Sequence, residues 1–429
     1  MSQKIEKIKY CPVGYSSMDF AYTDLQNFFY EGKCCLCTKE RFIQEFKTWS
    51  SGNSDIDKII QESQINDMYV KLQWISYDNF QNIEHIADGG YGSLYSAKLK
   101  NVIKMNWNFI RHDWEHHLIR KKVAFKEIND SRYDIIKFLK IDQVRYFGIS
   151  KNPSTQNYII VRILFDNDFH NFLTKAFWGL NWLSKLDSLF SIAWSLRCLH
   201  EINLVHCNLH SGNILMMNDY NPCDSIEIDQ SSCKLENDLI LNANDKNNKI
   251  YGSIPYIPPE VLIGNEFTRE GDIYSFGGIM YEIVAAQRPF ADQAHDTYLM
   301  IDICNGVRPK VSEFMLWFPL VFRRAIFERE RENKFREYIV DDDVMQQLQI
   351  ADENQQNISK SQKQELFELF SYSSKLHPQS CYSGRYVHTL HGLHDLLEEI
   401  KSGKSPDPNL LMKSNESTTR VNSHNIGDE

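Results

Sequence analysis

No uncharged apolar run in the 429 residues reaches the roughly 18 that a membrane span needs. Met1-Ser2-Gln3-Lys4 leads into polar sequence without the apolar core of a signal peptide. Nor is there a basic block: 47 Lys and Arg stand against 57 Asp and Glu, a net charge of -10. That balance gives no support to nucleic-acid binding or to docking on an anionic membrane. Ten cysteines are present, four of them early (Cys11, Cys34, Cys35, Cys37), and the others lack the spacing of a disulfide framework. No internal repeat is visible. Together these absences predict a soluble, cytoplasmic chain with reduced thiols.

What is present suffices for a sizeable core: 42% hydrophobic residues and 13% aromatics, in a length fit for two or three domains. Residues 1–50 read as irregular and aromatic. Ser50 to Ser54 reads as a turn, and Ile56, Ile59 and Ile60 at helical spacing follow it. From Asn79 strand-like runs appear: Ile83 to Ile86, Leu94 to Leu99, and Val123 to Lys126. Lys100 to Lys122, with its Trp and His residues, reads as an inserted surface loop. Helical periodicity dominates from Leu186, with Ile192, Leu196 and Leu199 on one face. Ile273 to Tyr281 is apolar nearly all round, as a helix at the centre of a large domain would be. Gln346 to Gln364 is rich in Gln and Asn, and Gly403 to Glu429 has the composition of disorder.

Three motifs carry chemistry. Ile86-Ala87-Asp88-Gly89-Gly90-Tyr91-Gly92 is a glycine-rich turn whose backbone N–H groups can approach phosphate oxygens that side chains would block. An ordinary hairpin turn would use the same glycines. Val123-Ala124-Phe125-Lys126 ends an apolar strand in an ammonium that can reach phosphate, or simply water. The third, Leu204-Val205-His206-Cys207-Asn208-Leu209-His210-Ser211-Gly212-Asn213-Ile214-Leu215, closely resembles the protein-kinase catalytic loop H-R-D-L-x-x-x-N. In order after it stand Ile228-Asp229-Gln230-Ser231, like strand–Asp-Phe-Gly; Gly252 to Glu260, like G-x-x-x-Y-x-A-P-E; Asp272 to Gly277, like D-x-x-S-x-G; and Gly306-Val307-Arg308-Pro309, like G-x-R-P.

The chain therefore resembles the protein kinase superfamily, nearest its tyrosine-kinase-like group and an expanded fungal set with a Cys-rich start. Residues Arg41 to Asp57, His377 to Gln379 and Tyr382 to Arg385 also look like that set. The resemblance implies an α+β, bilobal kinase-like fold, with a small antiparallel β-sheet lobe and a mostly helical large lobe. It divides the chain into a Cys-containing lead-in (1–78), a kinase-like domain (79–323) and a helical to disordered polar tail (324–429). It implies ATP beneath Gly89, Gly90 and Gly92 and against Leu94, Ala124 and the connector from Arg162 to Asp168. Lys126 would meet the inner phosphates, and Asn213 and Asp229 would hold Mg²⁺. His206, Glu260 and Asp272 would be structural, with Asp272 bracing the catalytic loop from below.

The pattern breaks in one direction. Asn208 stands where the catalytic Asp belongs, and a carboxamide is not a usable base near neutral pH. Cys207 replaces the neighbouring Arg. The helix that should offer Lys126 a Glu partner is shortened, putting Ile141 at that position with Asp142 on another face. Gln230-Ser231 replace Phe-Gly, and the late helical region lacks a clear Arg for Glu260. These changes point to a pseudokinase acting as an interaction module, with or without nucleotide. An active Ser/Thr or Tyr kinase and a destabilised relative are the alternatives, and the substrate or partner protein is unnamed. Cys34 and Cys37 form a C-x-x-C turn that, with Cys11, offers three of the four ligands of a zinc site; Cys35 is a strained fourth.

Overall fold

The structure, a computed structural model, describes residues 10–410 except 23–24, 28, 67–70, 90–91, 101–102, 118–121, 129–145, 218–225, 243–245, 311–341, 362 and 364–376. Two compact units emerge. One comprises residues 1–168, 215–221 and 227–232; the other comprises 169–214, 222–226 and 233–429.

The first unit is built on a six-stranded sheet. Its spatial order is Gln73–Trp74, Tyr146–Lys151, Tyr158–Ile163, Val123–Ile128, Gly92–Leu99, Phe80–Gly89. All neighbours are antiparallel except the first pair. Tyr158-Ile159-Ile160-Val161 is continuously apolar because both faces of this strand are covered. Ile159 and Val161 enter one core layer with Val123, Phe125, Phe80 and Ala97. Tyr158 and Ile160, one residue out of phase, enter another with Ile56 and Ile60 of the helix Ser54–Asn66. Phe125, 1% exposed, stacks on Tyr95 with ring centroids 4.9 Å apart.

The stretch read as an inserted surface loop is instead a hairpin, Ile103–Asn108 with Asp113–His117. It joins Phe29–Tyr30 and Lys33–Cys34 in a four-stranded sheet. Aromatic burial is the cause. Trp114 packs 4.5 Å from Phe42, Arg41 lies 4.2 Å over the Trp107 ring, and Lys104 pairs with Glu45 at 2.7 Å. Phe42, Arg41 and Glu45 all belong to the helix Cys35–Glu45, so the start of the chain is less irregular than its composition implies.

The second unit is mostly helical. Its centre is Arg269–Ala285, opened by the Thr268 side chain, which accepts from Gly271 N, and closed by Ala286 in the left-handed region. Beside it lies Trp182–Glu201, whose buried residues include Leu189, Ile192, Leu196 and Leu199. The chain after residue 377 is tied into this unit. Arg385–His388 pairs antiparallel with Lys249–Gly252. Asp407 accepts from Thr297 N at 2.7 Å, and Asn409 is fully buried. Asp407 and Asn409 therefore tie this stretch into the fold against its disorder-like composition, and residues 411–429 lie outside the described residues. Among the described residues no helix is long and apolar enough to cross a membrane. The sheet-rich first unit and the helical second unit make the fold α+β.

Candidate functional site

In the first unit, Gly89 pairs with Gly92 across the end of a hairpin; Gly90, between them, lies outside the described residues. Gly92 has φ +148°, and a Cβ there would lie 2.1 Å from the Glu127 carbonyl oxygen. Close passage of the neighbouring strand is thus reason enough for this glycine. Leu94 sits opposite Lys126, and Ala124 opposite Arg162. Strand alternation puts Ala124, Lys126 and Arg162 on one face of the sheet, and Val123 and Phe125 on the other. Burial lowers the pKa of Lys126; Asp229 opposes that shift and Arg162 adds to it. Among the described residues no hydrogen bond or ion pair closes on the Lys126 ammonium. Ile141 and Asp142 lie outside those residues. Glu127 is engaged elsewhere, accepting from Asn152 Nδ2 at 2.9 Å, Asn157 Nδ2 at 3.2 Å and Thr155 Oγ1.

Asp229 follows the strand Glu227–Ile228. Its Oδ2 lies 3.3 Å from Arg162 Nη2, with the two side chains 19% and 9% exposed. The carboxylate that the resemblance assigns to Mg²⁺ therefore faces a guanidinium. The sequence places Arg162 only at the start of the connector and not opposite Asp229, although a signal for a charge partner is there. A lone charge inside Tyr158-Ile159-Ile160-Val161-Arg162-Ile163 has to find a partner on folding.

In the second unit the loop Leu204 to Ile214 is held from within. Asp272, 1% exposed, accepts from His206 N at 2.7 Å, from Cys207 N at 3.1 Å, and lies 3.0 Å from His200 Nε2. Cys207 takes φ +65° and buries its side chain in an apolar cluster with Ile250, Ile254 and Val261. Burial first, then Asp272, pushes its thiol pKa up, so it is no thiolate nucleophile. Asn208 N donates to His206 Nδ1 at 3.2 Å, and its carbonyl accepts from Asn213 Nδ2 at 2.7 Å. Asn213 thus spends one of its two amide N–H donors on the loop, and its side-chain oxygen is the atom it can offer a cation. Glu260 lies in the helix Pro259–Ile263 and forms no ion pair among the described residues.

A second buried network braces the same unit. The Glu282 carboxylate accepts from Tyr256 OH at 2.5 Å and Ser211 Oγ at 2.9 Å, and lies 3.3 Å from His170 Nδ1. Burial works to raise the pKa of Glu282, but His170, Arg288 and Tyr256 outweigh it and hold the group below its ordinary value.

Cys11, Cys34 and Cys37 come together at the start of the first unit, all buried, with their sulfurs within 4.8 Å of one another. Cys34 caps its helix, accepting from Cys37 N at 3.5 Å. Burial and the neighbouring sulfurs push the Cys37 thiol up. The donor chemistry fits three corners of a zinc tetrahedron. Cys35 stays outside the cluster, and no fourth Cys, His, Asp or Glu joins it among the described residues. For Mg²⁺ the fit is poor, because Asp229 is already answered by Arg162.

Comparisons with known proteins converge. Three relatives are a "Probable serine/threonine-protein kinase roco5" of Dictyostelium discoideum, 23% identical over 265 residues; the "G-type lectin S-receptor-like serine/threonine-protein kinase SD1-1" of Arabidopsis thaliana, 24% over 246; and the "Receptor-interacting serine/threonine-protein kinase 4" of Homo sapiens, 23% over 245. The matches cover 60%, 53% and 56% of this chain, but only 9%, 27% and 28% of those proteins. The sequence model of the family described as "Protein tyrosine and serine/threonine kinase" matches residues 80–314, over half of the chain. With the six-stranded sheet, the helical unit and the Asp272-braced loop already in place, that match makes the chain a member of the protein kinase family.

Proposed function

We propose that the chain is a pseudokinase of the tyrosine-kinase-like group: a kinase domain over 79–323, between a lead-in (1–78) and a tail (324–429), that holds an ATP-type nucleotide and serves cytoplasmic signalling by engaging a protein partner. The family generally uses ATP and Mg²⁺ and phosphorylates proteins. The observation that carries the reading is Asn208. Its backbone is held on both sides, by His206 Nδ1 and Asn213 Nδ2, and its side chain is an amide without a basic oxygen. Losing a general base costs about 10²- to 10⁴-fold in rate, roughly 3–5 kcal/mol of barrier. Cys207 supports the same reading, since a buried thiol among Ile250 and Val261 offers no cation to a phosphorylated segment. Gly89, Gly90, Gly92, Leu94, Ala124 and Lys126 would line the nucleotide side.

An active kinase is the second reading, favoured by the presence of Lys126, Asn213 and Asp229. A single-turnover phosphotransfer assay with Mg²⁺ or Mn²⁺, run beside Lys126→Met, separates the two. The pseudokinase reading expects no transfer above the Lys126→Met background. Transfer by the parent that disappears in Lys126→Met refutes it.

We also propose that Cys11, Cys34 and Cys37 hold a structural zinc ion. Structural sites bind zinc tightly enough to survive purification. Metal analysis should therefore find about one equivalent, falling below about half in Cys37→Ser. Less than half an equivalent in the parent would end this proposal.

A further inference from the structure

Resting on the nucleotide reading above, we infer that Arg162 stands in for the divalent metal at Asp229, so that this site takes the phosphates of a nucleotide without Mg²⁺. The strand register places Arg162 opposite Ala124, two residues from Lys126 and on the same face of the sheet. Diagonal neighbours on one face lie about 7–8 Å apart at their backbones, within reach of long side chains. From there the guanidinium reaches Asp229, Nη2 to Oδ2 3.3 Å, with only 9% of the Arg162 side chain exposed.

Lys126 and Arg162 both present positive charge on this face of the sheet, and the Asp229 carboxylate lies against Arg162. Glu127, the nearest acid in sequence, is taken up by Asn152, Thr155 and Asn157. A carboxylate in such a place ordinarily recruits a divalent cation, and the cation then receives phosphate oxygens. Here a fixed guanidinium already neutralises the carboxylate, and Lys126 is left to receive an anion. Guanidinium and ammonium are both good phosphate donors, and guanidinium does not deprotonate at any working pH. Mg²⁺ would first have to displace Arg162 from Asp229.

The test is ATP binding by calorimetry, in excess EDTA and in Mg²⁺, on the full chain and on Arg162→Met and Asp229→Asn. In the parent, affinity in EDTA should equal that in Mg²⁺ to within about threefold, whereas Arg162→Met should bind at least about tenfold more weakly in EDTA than in Mg²⁺. Asp229→Asn removes the carboxylate that occupies Arg162 and should bind ATP in EDTA at least as tightly as the parent. If Arg162→Met does not fold, the Asp229→Asn result decides, and a loss of binding there overturns the inference. Parent binding that needs Mg²⁺ overturns the role of Arg162 and leaves the nucleotide reading standing. No binding in either buffer overturns both.

Discussion

Two aspartates, one in each unit, are answered from within the protein in different ways. In the helical unit, Asp272 accepts from the backbone N–H groups of His206 and Cys207. In the sheet-rich unit, Asp229 meets the side chain of Arg162. Backbone donors cannot leave, so Asp272 is part of the scaffold. A side-chain partner can be exchanged, and on the inference drawn above the arginine at Asp229 alters what the site can hold. The differences from the kinase pattern fall along this line. His206, Asn213, Asp272 and Glu260 keep the family's residue types, and the first three bond to their own chain. By the motif resemblance, Asn208 and Cys207 stand where the family's residues would meet a substrate hydroxyl and a phosphorylated segment.

The largest effect expected from this contrast is at Asp272. Asp272→Ala strands two buried N–H groups and the His200 ring, and should lower unfolding free energy by about 3–5 kcal/mol. Chemical denaturation checks it; a cost under about 1 kcal/mol, the surface ion-pair range, would erase the distinction between the two aspartates.

A smaller effect is expected at Glu282. Glu282→Gln should cost about 2–3 kcal/mol near neutral pH, the range for charged hydrogen bonds. Its pKa in the folded chain is below the ordinary 4.5. As the pH falls below that ordinary value, the unfolded chain takes up a proton that the folded carboxylate refuses, so acid favours unfolding. The contribution is complete above pH 4.5 and is lost on acidification through the folded value. Melting temperature against pH should therefore fall more steeply on the acid side for the parent than for Glu282→Gln; parallel curves would remove Glu282 from the account.

Much of the fold could be read before any coordinates. The apolar strand Val123 to Lys126, the all-round apolar Ile273 to Tyr281 and the order of the kinase-like motifs all report local rules of burial. What escaped depended on partners distant in sequence. Trp107 and Trp114 looked like loop residues because their cover, Arg41 and Phe42, lies over sixty positions away. Arg385–His388 is too short to stand out as a strand by itself, and its partner Lys249–Gly252 lies over a hundred positions away. Among the candidate residues, Lys126, Asn208, Asn213 and Asp229 are legible as motif letters, whereas the Arg162–Asp229 pair joins residues that no motif links.

Single-turnover transfer of the ATP γ-phosphoryl group by the purified chain, compared with its Lys126→Met variant, bears most directly on the whole account. Indistinguishable traces, with Mg²⁺ or Mn²⁺, are what an amide at position 208 predicts. Phosphoprotein formed by the parent alone would contradict it.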